Sequence, residues 1–181
     1  SVEMNNTSIG AAVAVSLPPL PDLAVSEIIS PAAGFAGQTA TLIWSVTNQG
    51  TAAATGPWTD NVLLSPAVSG SNALSLVSVS YTSVLPAGAA LTRTQSVALP
   101  SGLFGQRYFV VQTDASNHVF ESTSETNNQS VALTAIAIAG PDLEAAGLTL
   151  SPDSGLQSGS QVTLSWTDAN TGLGPTLGSW H

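Results

Sequence analysis

The chain has 181 residues and a formal net charge of −9, with no Lys, no Cys, and Arg only at positions 93 and 107. Clustered cations for nucleic-acid phosphates or an anionic membrane are therefore missing, and so are the thiols of a disulfide framework or a thiolate metal site. Charged residues are 7% of the chain against about a quarter in an ordinary soluble domain, so Ser, Thr, Asn and Gln must supply the polar surface, which fits an extracellular protein.

Turn signals punctuate short alternating segments at roughly 10-residue spacing, the pattern of an all-β sandwich. Leu23–Ile29 reads as a first strand, ended by Ser30-Pro31 and a turn over Gly34–Gly37. Gln38–Thr47 is the clearest strand, with Ala40, Leu42, Trp44 and Val46 on one face and Thr39, Thr41, Ser45 and Thr47 on the other. Trp58–Ser65, Leu74–Ser83, Ala90–Leu99, Gln106–Thr113 and Gln129–Ala139 complete seven strands, the number in an immunoglobulin-like constant-type sandwich. The Ala-rich runs Gly10–Val15 and Ala132–Ala139 alternate with β-branched residues, so they read as strand and not helix. No apolar run approaches the ~20 residues of a membrane-spanning helix.

The sequence also repeats. Glu3, Asn5 and Asn6 return as Glu125, Asn127 and Asn128 at an offset of 122, and Pro21-Asp22-Leu23 returns as Pro141-Asp142-Leu143 at 120. Gly37, Leu42, Trp44, Asn48, Gly50 and Trp58 return as Gly159, Leu164, Trp166, Asn170, Gly172 and Trp180, again at 122. The repeat divides the chain into residues 1–20, a closing strand of a preceding copy plus linker; 21–139, one complete sandwich; and 140–181, the opening strands of a following, incomplete copy. Joining the two partial copies would still omit the third to sixth strands, so a window on a longer polypeptide is expected, not strand exchange within a filament. Pro18-Pro19-Leu20-Pro21 and Gly140-Pro141 make the junctions stiff. Asp168 stands where the first copy has Val46, which predicts a bulge or different packing there.

Five motifs occur in order across residues 21–139: Pro21-Asp22-Leu23; Trp44-x-Val46-x-Asn48-x-Gly50; Trp58-x-Asp60-x-Val62-x-Leu64-Ser65; a strand with Gly105, Tyr108 and Asp114; and Glu125-x-Asn127-Asn128. Together they resemble the CARDB domain, the cell-adhesion-related domain found in bacteria. The resemblance implies an immunoglobulin-like sandwich used in tandem in large secreted or surface proteins. Its implied role is a structural or adhesive stalk or fibre segment, whose partners are neighbouring repeats and a surface or polysaccharide ligand.

One constellation could carry chemistry. Asp114, Asn117, Glu121, Glu125, Asn127 and Asn128 crowd one loop, with Asp60 as an added partner from the Trp58 strand. Calcium takes six to eight oxygens from such groups, so Asp60, Asp114, Asn117, Glu121 and Glu125 form a candidate structural calcium site. The competing reading is a polar turn in which Asp and Asn satisfy local backbone groups. Trp44 and Trp166 are expected as core anchors, and Tyr108 as a packed ring with its hydroxyl tied to backbone. Trp58 and Trp180, each just after a Gly-containing turn, are expected to cap the sandwich edge; the competing reading, a ring that stacks on a sugar, gives an alternative carbohydrate-binding role, and an accessory module of a secreted enzyme is a further alternative. His118 and His181 lack any nucleophile motif, so no catalytic activity is expected.

Overall fold

The computed structural model describes residues 10–122 and 124–178. Among these residues there is no α-helix, only a 3-10 turn at Glu125–Asn127. The strands are β1 (Leu23–Ile29), β2 (Ala33–Phe35), β3 (Thr39–Asn48), β4 (Ala54–Thr55), β5 (Trp58–Ser65), β6 (Leu74–Tyr81) and β7 (Val84–Leu85). They continue as β8 (Ala90–Ala98), β9 (Gly105–Gln112), β10 (Gln129–Val131), β11 (Ile136–Ala139), β12 (Leu143–Ser151) and β13 (Thr163–Asn170).

Two sheets form the body of the molecule: one in the order β1-β3-β8, the other β2-β11-β9-β5-β6 with β10 beside β9. Period-2 alternation explains how they share a core. Ala40, Leu42, Trp44 and Val46 of β3 are all buried, as the alternation predicts, and meet Trp58, Val62 and Leu64 of β5 and Phe109 and Val111 of β9 in one cluster. Burying each large side chain of this kind contributes about 1.5–3 kcal/mol. The small sheet is antiparallel and continuous, with β3 paired along its length to β8 and to β1 through one bulge between Val25 and Glu27.

Three departures from the sequence reading follow from pairing that alternation does not encode. The expected turn over Gly34–Gly37 begins with β2, which pairs in parallel with β11. The expected last strand breaks: β10 and β11 both pair with β9, but their registers differ by two residues, and Leu133 in the loop between them is 97% exposed. Residues 10–15, expected as a strand, have no regular structure and are exposed, because no sheet edge receives them. The expected closing motif at Glu3–Asn6 lies outside the described residues.

Beyond Gly140-Pro141, β12 and β13 form a separate antiparallel hairpin. Its register repeats that of β1 and β3. Leu23 faces Asn48 and Leu143 faces Asn170; Ile29 faces Ile43 and Thr149 faces Ser165 beyond an irregularity that begins one residue later in β12 than in β1. Asp168 faces Ala145 as Val46 faces Val25, and the irregularity lies between Ala146 and Thr149, so no bulge forms at Asp168. Every residue of both strands is exposed, Asp168 included.

Candidate functional site

The end of β3 carries a side-chain clasp over the entrance to β1. Asn48 is fully buried; its Oδ1 accepts from the Asp22 and Gly50 amides, both at 3.1 Å, and its Nδ2 donates to the Ala52 and Leu85 carbonyls at 2.9 and 3.0 Å. The Gln49 amide donates to the Asp22 carbonyl at 2.6 Å, and the Thr51 amide to the Leu20 carbonyl at 2.9 Å. Gly50 is required here by close approach, since a Cβ would overlap the Leu20 carbonyl and the Asp22 amide. The hairpin rebuilds this clasp. Asn170 Oδ1 accepts from the Asp142 and Gly172 amides at 2.9 and 3.1 Å, and its Nδ2 donates to the Gly174 carbonyl at 2.8 Å. The Thr171 amide donates to the Asp142 carbonyl at 2.7 Å, and a Cβ on Gly172 would again meet the linker backbone.

The acidic residues do not gather in one place. Asp60 is fully buried in the core, where its Oδ2 accepts from Trp44 Nε1 at 3.0 Å and its Oδ1 from Thr113 Oγ1 at 2.7 Å. Arg93 Nε stands 3.3 Å from Oδ2, with the guanidinium 5.2 Å from the centre of the Tyr81 ring. This knot ties β3 and β8 of one sheet to β5 and the end of β9 in the other. Both Asp60 oxygens are occupied by chain groups, and the other candidate ligands are not among them.

Asp114 takes φ 42° and spends its carboxylate on the turn, accepting from the His118 amide at 2.9 Å and the Val119 amide at 2.8 Å. That is the polar-turn chemistry weighed for this loop. The remaining residues do associate. With its amide nitrogen toward Glu125, Asn117 donates to that carboxylate at 3.0 and 3.2 Å, and Asn128 Nδ2 donates to Glu125 Oε2 at 3.1 Å. Glu121 is buried, and its Oε1 accepts from the Leu23 amide at 3.0 Å. Burial pushes the Glu121 carboxyl up to about 7; the Leu23 hydrogen bond opposes the shift, and the nearby Glu125 and Asp114 charges add to it.

Asp22 was absent from the candidate set, yet its Oδ1 accepts from Asn127 Nδ2 at 2.7 Å. The recurrence of Pro-Asp-Leu was the signal that could have found it. Among the described residues no three His, Asp or Glu side chains converge on one point to hold a metal.

Trp58 is fully buried, its ring centroid 4.3 Å from that of Tyr81. It caps the core and offers no stacking platform to a sugar. Trp166, expected in a core, is 56% exposed on the hairpin, because no second sheet covers it. Tyr108 is half-buried, and its hydroxyl makes no hydrogen bond among the described residues, so the expected tie to backbone is not made. Trp180 and His181 lie outside the described residues.

The sequence profile of the CARDB family matches residues 20–132, which include the first sheet, the second apart from β11, and the first clasp. The chain belongs to the CARDB family. Among solved structures it is similar to the CARDB domain of a Pyrococcus furiosus protein, a crystal structure in complex with di-metal ions: 19% identity, 68% of this chain and 97% of that one, TM-score 0.51. The solution structure of the same archaeal domain shares 23% identity over 66% of this chain and 95% of that one, with a TM-score of 0.48. A beta-glucosidase from Listeria innocua, in complex with glucose, matches at 15% identity over 66% of this chain and 16% of its own length, TM-score 0.40. None of the curated proteins matches the chain. The likeness to the archaeal CARDB domain establishes the all-β fold. Among the described residues no helix is long and apolar enough to cross a membrane.

Proposed function

We propose that this CARDB domain is a structural and adhesive unit of a tandem array, serving as a stalk or fibre segment of a large secreted or surface bacterial protein. On this reading residues 21–139 are one immunoglobulin-like unit, and β12–β13 open the next. The observation that carries it is the duplicated clasp. Asn48 and Asn170 bond equivalent linker amides, and Leu23 and Leu143 sit in equivalent register against them. Two independent hairpins have no reason to share a side-chain-to-linker network, whereas two copies of one domain do.

The clasp also supports the mechanical half of the proposal. Each linker is prolyl and is bonded to the loop that follows the clasp asparagine, at Leu20 in the first junction and Gly140 in the second. Backbone held in this way restricts the swivel between units, so the array is a semi-rigid rod. The role is non-catalytic, with neighbouring repeats as its primary partners. Burial of Trp58 takes away the platform on which a carbohydrate-binding reading rested.

Negative-stain imaging of the native protein tests this. A rod beaded at the length of one sandwich is expected. A compact particle with the CARDB domain folded against a catalytic body would replace the array with an accessory role.

A further inference from the structure

The strand that leaves the sandwich is flanked on both sides by groups that reach past its end. β11 runs between β9 and β2. Ile138 faces Gly105 of β9, which brings Phe104 one step further along the exit, and Ala139 faces Phe35 of β2 on the other side. From the β9 side, the Phe104 ring lies so close over Gly140 that a Cβ there would overlap it. Just beyond β2, Leu177 lies against Gly37, in the space that a Cβ would take. Leu177 belongs to the loop after β13, so this contact joins the hairpin to the sandwich at a second point besides the linker.

The glycines show that the approach is written into the sequence. Gly37 has a φ of 77°, which alone calls for glycine, but neither Gly140 nor Gly174 has a positive φ. A Cβ on Gly174 would overlap the Gly140 backbone, as one on Gly140 would overlap Phe104. Glycine at an ordinary φ loses more chain entropy on folding than alanine would, so close approach is the reason for both. The first unit has other residues at these places. The offset of 122 that equates Gly50 with Gly172 equates Ala52 with Gly174 and Thr55 with Leu177, and the offset of 120 at Pro21 equates Leu20 with Gly140. The clasp forms with either set, so bare backbone and a leucine at the second junction answer a need other than the clasp.

We infer that the exit end of the sandwich is a docking face whose occupant is the following unit. Phe104 clamps the linker at Gly140, Gly174 closes on it from the other unit, and Leu177 seats on Gly37. An apolar joint, and not the prolyl linker and clasp alone, then sets the angle between the two units. Relative motion is the default for joined domains unless their interface holds them, and these contacts are the hold. The joint deepens the array reading, on which it rests for the hairpin's place in a following unit.

The test is a distance measurement between spin labels in the full chain, which has no native cysteine to interfere. Ser75→Cys on β6 and Ser165→Cys on β13, both exposed and away from the joint, carry the labels. The parent is expected to give one narrow distance distribution. Leu177→Thr, which installs the first unit's residue, and Gly140→Ala, which drives the Phe104 ring off the linker, should each widen it about twofold. Labels at Ser151→Cys and Ser165→Cys, within the hairpin, should keep their distance in both variants. Phe104→Ala acts from the sandwich side and serves where a variant loosens the hairpin itself. A broad distribution in the parent overturns the inference, as does a narrow one that none of the three substitutions widens. Either result leaves the array to be decided by imaging, and a compact particle by imaging leaves the joint to be decided by the labels.

Discussion

The β1–β3 and β12–β13 pairs have the same register on either side of an irregularity and the same asparagine clasp, yet opposite surroundings. Leu42 and Trp44 are fully buried, whereas Leu164 and Trp166 are 55% and 56% exposed. The comparison separates two layers of the folding code. Alternation and the Asn-x-Gly turn set the geometry of a hairpin without help from a core. Stability requires the second sheet, because a two-stranded ribbon in water is marginal.

Substitution of the paired tryptophans is the sharpest way to break this comparison. Trp44→Ala leaves a cavity and takes a donor from Asp60, and is expected to cost about 4 kcal/mol in urea unfolding. Trp166→Ala on the open hairpin should stay within about 0.5 kcal/mol. Equal costs would mean that the hairpin face is buried in solution. The clasps provide a smaller contrast. Asn48→Ala strands two amides and two carbonyls and should cost about 2 kcal/mol, with faster hydrogen exchange at the Asp22 amide. Asn170→Ala should speed exchange at the Asp142 amide and leave global unfolding unchanged.

Smallest is a pH effect confined to the sandwich. The folded protein keeps the Glu121 proton up to about pH 7, whereas an ordinary glutamate releases it near 4.5. Between these values the folded state binds more protons than the unfolded chain. The stability due to Glu121 is therefore complete below pH 4.5 and is lost as pH rises through 7. Glu121→Gln should remove that decline, seen as a flatter Tm profile between pH 4.5 and 7. A slope unchanged by the substitution would assign the proton to another group.

Legibility followed the range of the interactions. β1 and β5 begin and end where their alternation does, and the buried face of β3 was visible in its four inward residues. β2, β4 and β7 have two or three residues each, too few for any period to register. The break between β10 and β11 was hidden because Ala132 and Ala135 suit either face of a sheet. Asp60 was misplaced for a related reason. It was joined to the acidic loop as an added oxygen ligand from the Trp58 strand, while its partners Trp44, Arg93 and Thr113 lie 16 to 53 residues away. The acidic loop itself was legible as composition. Which of its oxygens were already satisfied depended on backbone amides, at His118, Val119 and Leu23, that no residue pattern announces.

The parallel pairing of β2 with β11 has a mechanical consequence. Tension applied to the two ends of the sandwich reaches β2 at its N-terminal end, through β1, and β11 at its C-terminal end, through Gly140-Pro141. In a parallel pair those are opposite ends, so the load runs along the strands and not across them. The ladder from Ala33–Ala137 to Phe35–Ala139, with the flanking bonds from the Ala137 amide to Ala32 and from the Ala36 amide to Ala139, is sheared as a block. A zipper opened one bond at a time yields to a small pull; a sheared block must lose its bonds together. Two short strands, of three and four residues, are thus placed where a stretched molecule would resist most.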